Sequence, residues 1–157
     1  MFLFYNKQDY QNSLPEVFSL FSKPLSMGLL THTNLNIILL SDPEHKISKG
    51  SVLDYKICFL GKIWRWTSYI DSYEKNKYFS ELQLKGPFRY WRHSYRFSQN
   101  NQNTEIENEL VYDFSFLGAA KLINNHFMKP KLYDLFARKN KKKAKQLNVV
   151  GYSQCLN

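Results

Sequence analysis

Two cysteines in 157 residues, Cys58 and Cys155, are too few and too far apart for a disulfide scaffold, which points to a reducing, cytoplasmic setting. Long apolar runs are missing too. The longest candidate, Leu35 to Leu40, is interrupted by Asn36 and falls well short of the roughly 20 residues a spanning helix needs. Asn6, Lys7, Gln8 and Asp9 break the apolar start before it can act as a secretory signal. No Gly-rich phosphate loop, nucleophile elbow or internal repeat is present. His32, His45, His93 and His126 stand at no recognised zinc spacing, so neither a metal nor a cofactor is expected.

Aromatic residues, by contrast, are abundant: 12 Phe, 11 Tyr and 3 Trp, enough for a packed core in one domain. The formal charge is +9, yet six of the positive charges fall in one stretch without an acid: Arg138, Lys139, Lys141, Lys142, Lys143 and Lys145. Without those six the remainder carries +3, an ordinary value. The run reads first as a solvated helix end offsetting the helix dipole. The alternative is a contact with an anionic surface, RNA or an acidic partner. The division expected is a domain over 1–140 and a tail over 141–157, basic at first and then uncharged from Gln146, where it should fray.

Phe2, Phe4 and Tyr10 suggest an opening strand. Asn12 and Ser13 offer capping oxygens, Pro15 and Glu16 suit a first turn, and Leu14, Val17, Phe18 and Phe21 recur at helical steps. A second short helix or irregular segment follows over Leu25 to Leu30. From Leu35 the period changes to two. Strands are expected over Leu35–Leu40, around Leu53, Tyr55, Ile57 and Phe59, around Trp64, Trp66, Ser68 and Ile70, and around Phe79, Glu81 and Gln83. Two more carry Trp91, His93, Tyr95 and Phe97, then Ile106, Asn108, Leu110 and Tyr112. Short connections make this an antiparallel meander. Leu117, Ala120, Ile123, Phe127, Leu132, Leu135 and Phe136 then form the stripe of a long amphipathic helix, which Pro130 should kink or split. The class is α+β.

Side-chain parity makes one face chemically mixed. If Trp91 and Phe97 point inward, so do His93 and Tyr95; Glu81 and Gln83 travel with Phe79, and Asn108 with Leu110. Polar groups buried there without partners cost a few kcal/mol each, so they must bond to one another, to water or to a ligand. Cys58 falls on the opposite face as a structural thiol, and His126 reads as packing or surface.

This order of elements resembles the SRPBCC superfamily, also called START-like or helix-grip proteins, and within it the bacterial branch described as polyketide cyclase/dehydrase-like or ligand-binding. The resemblance is carried by Leu14-Pro15-Glu16-Val17-Phe18 to Phe21, by Gly50, Tyr55, Gly61 and Trp66, and above all by Phe79 to Phe88 running on to Trp91-Arg92-His93 and Phe97. Thr104, Val111-Tyr112, Leu117-Gly118 and Leu132, Leu135, Phe136 and Arg138 complete it. Relatives often have a second His where Tyr95 stands, an acid in place of Asn108, and Asp in place of Glu81. The resemblance implies a seven-stranded antiparallel sheet curled around a long C-terminal helix, with two short helices after the first strand and a cavity for an apolar or aromatic ligand.

The expected function is binding or transport of a hydrophobic small molecule (lipid, quinone or polyketide-like). The expected lining is Tyr55, Trp66, Glu81, Gln83, Trp91, His93, Tyr95, Asn108 and Tyr112. A second reading is a cyclase or dehydratase with His93 as base and Tyr95 or Gln83 holding an oxyanion. A third is an interaction protein that uses the basic run.

Overall fold

A computed structural model describes residues 1–24, 37–42, 45–59, 61–114, 118–130, 132–133 and 149–151. The expected helix over Leu25 to Leu30, the basic run Arg138 to Lys145, and Leu117, Leu135, Phe136, His32 and Cys155 lie outside them. Strand β1 (Phe2–Tyr10) leads into helix α1 (Leu14–Phe21). Strands β2 (Ile37–Leu39), β3 (Val52–Phe59), β4 (Lys62–Glu74), β5 (Tyr78–Lys85), β6 (Phe88–Asn100) and β7 (Asn103–Phe114) follow. A helical segment begins as α2 (Ala120–Ile123), and a last strand, β8, spans Val149–Gly151. No described helix is long and apolar enough to cross a membrane.

The sheet runs β2-β3-β4-β5-β6-β7-β1-β8. Six consecutive strands form the expected meander, and β1 returns to pair antiparallel with β7, from Phe2 opposite Tyr112 to Tyr10 opposite Thr104. Seven antiparallel strands match the expectation. Within the tail, Val149–Gly151 adds a short eighth beside Asp9 and Tyr10. Two-residue geometry closes the β3–β4 hairpin between Phe59 and Lys62, where Gly61 takes φ +73, a conformation that favours a residue without Cβ.

Burial alternates as the pattern requires. Phe4, Asn6, Gln8 and Tyr10 of β1, Leu53, Tyr55 and Ile57 of β3, His93, Tyr95 and Phe97 of β6, and Ile106 to Phe114 at even positions of β7 are inward. Cys58, at an outward position, is a free thiol of intermediate exposure. Two bulges reset parity. One between Ile70 and Ser72 of β4 turns Tyr73 inward, and one between Phe88 and Tyr90 of β6 puts both Phe88 and Trp91 on the inner side.

Helix α1 covers one end of the inner face. Its start is fixed by the Glu16 carboxylate, which accepts from both the backbone N–H and the hydroxyl of Ser13 at 3.1 and 2.8 Å. Phe18 and Phe21 pack edge-on against Phe97 at 5.0 and 5.9 Å, and Phe21 meets Tyr10 and Tyr95. At the other end Trp66, Phe88, Trp91, Tyr112, Phe114 and Phe2 make a second aromatic cluster.

The expected long C-terminal helix is described only in part, over 120–130 and 132–133, and whether Pro130 splits it falls on residue 131, outside the described residues. The turn before Pro130 widens: Asn124–Met128 is a π turn in which the Lys129 N–H reaches back five residues to the Asn124 carbonyl. The wider turn relieves the clash between a proline ring and the carbonyl four residues earlier. Asn124, Met128 and Leu132 are buried and His126 is exposed; of the seven-residue stripe expected for this helix, Ala120, Ile123, Phe127 and Leu132 pack against the core, and Leu117, Leu135 and Phe136 lie outside the described residues.

Candidate functional site

Between the two aromatic ends lies a polar band. Glu81 and His93 are direct cross-strand partners on β5 and β6, and Tyr95 is paired in register with Asn108, which in turn faces Asn6 of β1. Glu81 is 3% exposed, His93 4%, Tyr95 2%, Asn108 1% and Asn6 2%, so the band is sealed from bulk water. The strands place these side chains inward for one reason: each sits an even number of residues from a buried Phe, Leu or Ile on its own strand.

Glu81 Oε1 stands 3.5 Å from His93 Nδ1, an electrostatic contact at the long end of hydrogen bonding. The Tyr95 ring lies 4.1 Å from the imidazole and stacks at 4.6 Å on Phe79. Tyr10 donates to Gln8 Oε1 at 2.7 Å. Burial, and then the negative charge of Glu81, push the phenols of Tyr55 and Tyr95 up; burial does the same for Tyr10. All three therefore remain neutral hydroxyls near pH 7.

Several buried atoms of this band have no hydrogen-bond partner among the described residues. They are Asn6 Nδ2, Gln8 Nε2, Tyr55 OH, Glu81 Oε2 and both amide atoms of Asn108. The polar set is thus only partly saturated by its own members among the described residues.

Of the residues singled out from sequence, the fold brings Tyr55, Glu81, His93, Tyr95 and Asn108 into the band. Trp66, Trp91 and Tyr112 belong instead to the aromatic cluster beside it. There the Trp66 indole donates to Ser68 at 2.8 Å and crosses Trp91 at 89°. Tyr112, pushed up to about 12 by burial and by nearby Tyr133, donates to Asn124 Oδ1 at 2.6 Å and ties the helical segment to the sheet.

Gln83 is committed elsewhere. Its amide donates to the Phe88 carbonyl at 2.8 Å and its Oε1 accepts from the Phe88 N–H, closing the β5–β6 turn. A Cβ on Gly86 would lie 2.2 Å from that oxygen, so glycine is what lets the side chain fold over. Asn6 and Gln8 are the residues that sequence reasoning missed. The signal was their parity with Phe4 and Tyr10, hidden by the polar reading of this stretch. Among the described residues no cluster of His, Cys, Asp and Glu could hold a metal ion.

Comparison with solved structures puts this arrangement in context. Protein CV1439 from Chromobacterium violaceum superposes with a TM-score of 0.69 at 9% identity, covering 92% of this chain and 96% of that one. TTHA0849 from Thermus thermophilus gives 0.67 at 10% identity over 88% and 94%, and the major latex-like protein 151 of Panax ginseng gives 0.66 at 10% over 92% and 96%. The fold is of the helix-grip type. These neighbours include SRPBCC-type proteins with the same curled antiparallel sheet. No family model and no curated protein sequence matches the chain.

Proposed function

We propose that the protein binds a hydrophobic small molecule, of the lipid, quinone or polyketide-like classes, against the inner face of the sheet beneath the C-terminal helical segment. The observation that carries this reading is the band of unpartnered amide, phenol and carboxylate atoms set between two aromatic clusters. An apolar surface with a few convergent polar groups is the usual make-up of a small-molecule site, and unsatisfied buried groups gain most when a ligand supplies their missing bonds. Helix-grip architecture agrees with the reading but does not choose the ligand.

Native mass spectrometry of the full-length protein, with uptake of the neutral dye Nile red, tests it. A retained small molecule or a bound, brightened dye is expected. A protein that carries nothing and leaves the dye dark would overturn the reading.

The buried Glu81–His93 contact favours a second reading, acid–base catalysis on such a ligand. Glu81 would orient the imidazole, and His93 would accept a proton beside a substrate carbonyl. His93→Ala separates the two: turnover lost with dye binding intact supports catalysis. No turnover in the parent protein on any ligand it retains removes it.

A further inference from the structure

If the inner face is a ligand site, its polar atoms have a polarity of their own. On the β1–β7 side they are chiefly donors. Asn6 and Asn108 are cross-strand partners with both Nδ2 groups unpartnered, Gln8 Oε1 accepts from Tyr10 and leaves Nε2 unused, and Asn108 Oδ1 is the one unpartnered acceptor among them. Two strands away on β5, about 10 Å along the sheet at the usual strand spacing, the unpartnered atom is an acceptor, Glu81 Oε2. Tyr55 OH, from β3, is the other unpartnered group on that side and can either donate or accept.

Among the described residues the band holds no fixed positive charge. No inward position of β1, β3, β4, β5, β6 or β7 carries Lys or Arg among the described residues. A ligand carboxylate buried here would lose its hydration, meet no Lys or Arg at the described inward positions and face the Glu81 side chain. A neutral carbonyl meets amide donors instead, and a hydroxyl or N–H on the far side of the ligand meets Glu81.

We propose that this face selects neutral, oxygenated ring compounds that carry a carbonyl acceptor and a separate hydroxyl or N–H donor, and rejects carboxylates such as fatty acids. The proposal rests on the reading of the face as a ligand site.

The test uses the full-length protein loaded with Nile red at neutral pH and displaced by three matched compounds: para-hydroxybenzophenone, benzophenone and para-benzoylbenzoate. The hydroxy ketone should displace the dye at about one tenth of the concentration that benzophenone needs, because it alone satisfies both sides. The carboxylate should need at least about ten times more than benzophenone, since its charge is buried unpaired. Glu81→Gln should narrow the gap between hydroxy ketone and carboxylate. Should that variant not fold, the ratio in the parent protein decides alone. A carboxylate that displaces the dye as well as the hydroxy ketone overturns the selectivity and leaves ligand binding standing. Failure of Nile red itself to bind overturns both.

Discussion

On the outer face of β4, β5 and β6, Asp71 accepts from the Ser80 hydroxyl at 2.6 Å and from Arg92 at 3.0 Å. One strand over, Asp54 takes Thr67 at 2.6 Å and Arg65 at 2.8 Å, and on β1 and β7 Lys7 reaches Glu105 at 2.7 Å. On the inner face of the same sheet, Asn6, Gln8, Tyr55, Glu81 and Asn108 keep atoms without partners among the described residues. The outer carboxylates and cations reach water and are paired all the same, and the buried Ser80 and Thr67 hydroxyls are paired with them. The inner groups cannot reach water, and several of their atoms are left without a partner among the described residues. Stability alone would produce the reverse, because an apolar side chain serves a buried position better than an unsatisfied amide. The inner set is therefore better explained by something that comes and goes than by the needs of the fold.

The largest effect should come from the outer face. Asp71→Ala leaves the fully buried Ser80 hydroxyl with only the 3.4 Å contact to Arg92, and removes the anchor of a half-exposed guanidinium. Urea unfolding should show a loss of about 2 kcal/mol with the slope unchanged. Nile red uptake should stay as it was. A loss near zero would break the contrast, since the outer pairs would then stabilise no more than the inner vacancies do.

Asn108→Leu should move stability the other way. The side chains are similar in size, Asn108 is 1% exposed, and neither amide atom has a partner among the described residues. Thermal and urea unfolding should report a gain of about 1 kcal/mol. Displacement of Nile red by para-hydroxybenzophenone should weaken by about tenfold as an amide donor is lost. A drop in stability would mean that the amide is satisfied in the free protein, and the inner face would then be an ordinary polar network.

The same contrast explains what could be read from the chain. Strands β3 to β7 announce themselves because Leu53, Tyr55 and Ile57, or Trp91, His93, Tyr95 and Phe97, alternate with polar outward residues. That parity correctly carried Glu81, His93, Tyr95 and Asn108 inward. Along β1 the same parity makes Asn6 and Gln8 inward, but their polar type hides it; their apolar surroundings come from β7 and α1, remote in sequence. Parity fails at the bulges, which move Tyr73 and Phe88 inward through backbone irregularities that leave no mark on hydrophobicity. Gln83 keeps the right parity but is drawn into the turn by the room at Gly86. Asn124 and Met128, four residues on from Ala120 and four before Leu132, share the buried face of the helical segment, but the expected stripe names only its most apolar members.

The smallest effect is electrostatic and belongs again to the outer face. Hydrogen bonds from Arg65, and then from Thr67, hold the Asp54 carboxyl below the ordinary carboxylate range. A folded-state pKa below the unfolded one means that this stability is present above the ordinary carboxylate value and is lost as pH falls through the depressed one. Arg65 is 67% exposed, so screening keeps the contribution small. Arg65→Met should therefore make the urea midpoint slightly less sensitive to acidification between neutral pH and about pH 3. Added salt should mute the same difference in the parent protein. The order in which the three benzophenones displace Nile red should not change, because Arg65 lies across the sheet from the band. If Arg65→Met did alter that order, the two faces would be coupled through β4, and the inner atoms could no longer be treated as independent of the outer pairs.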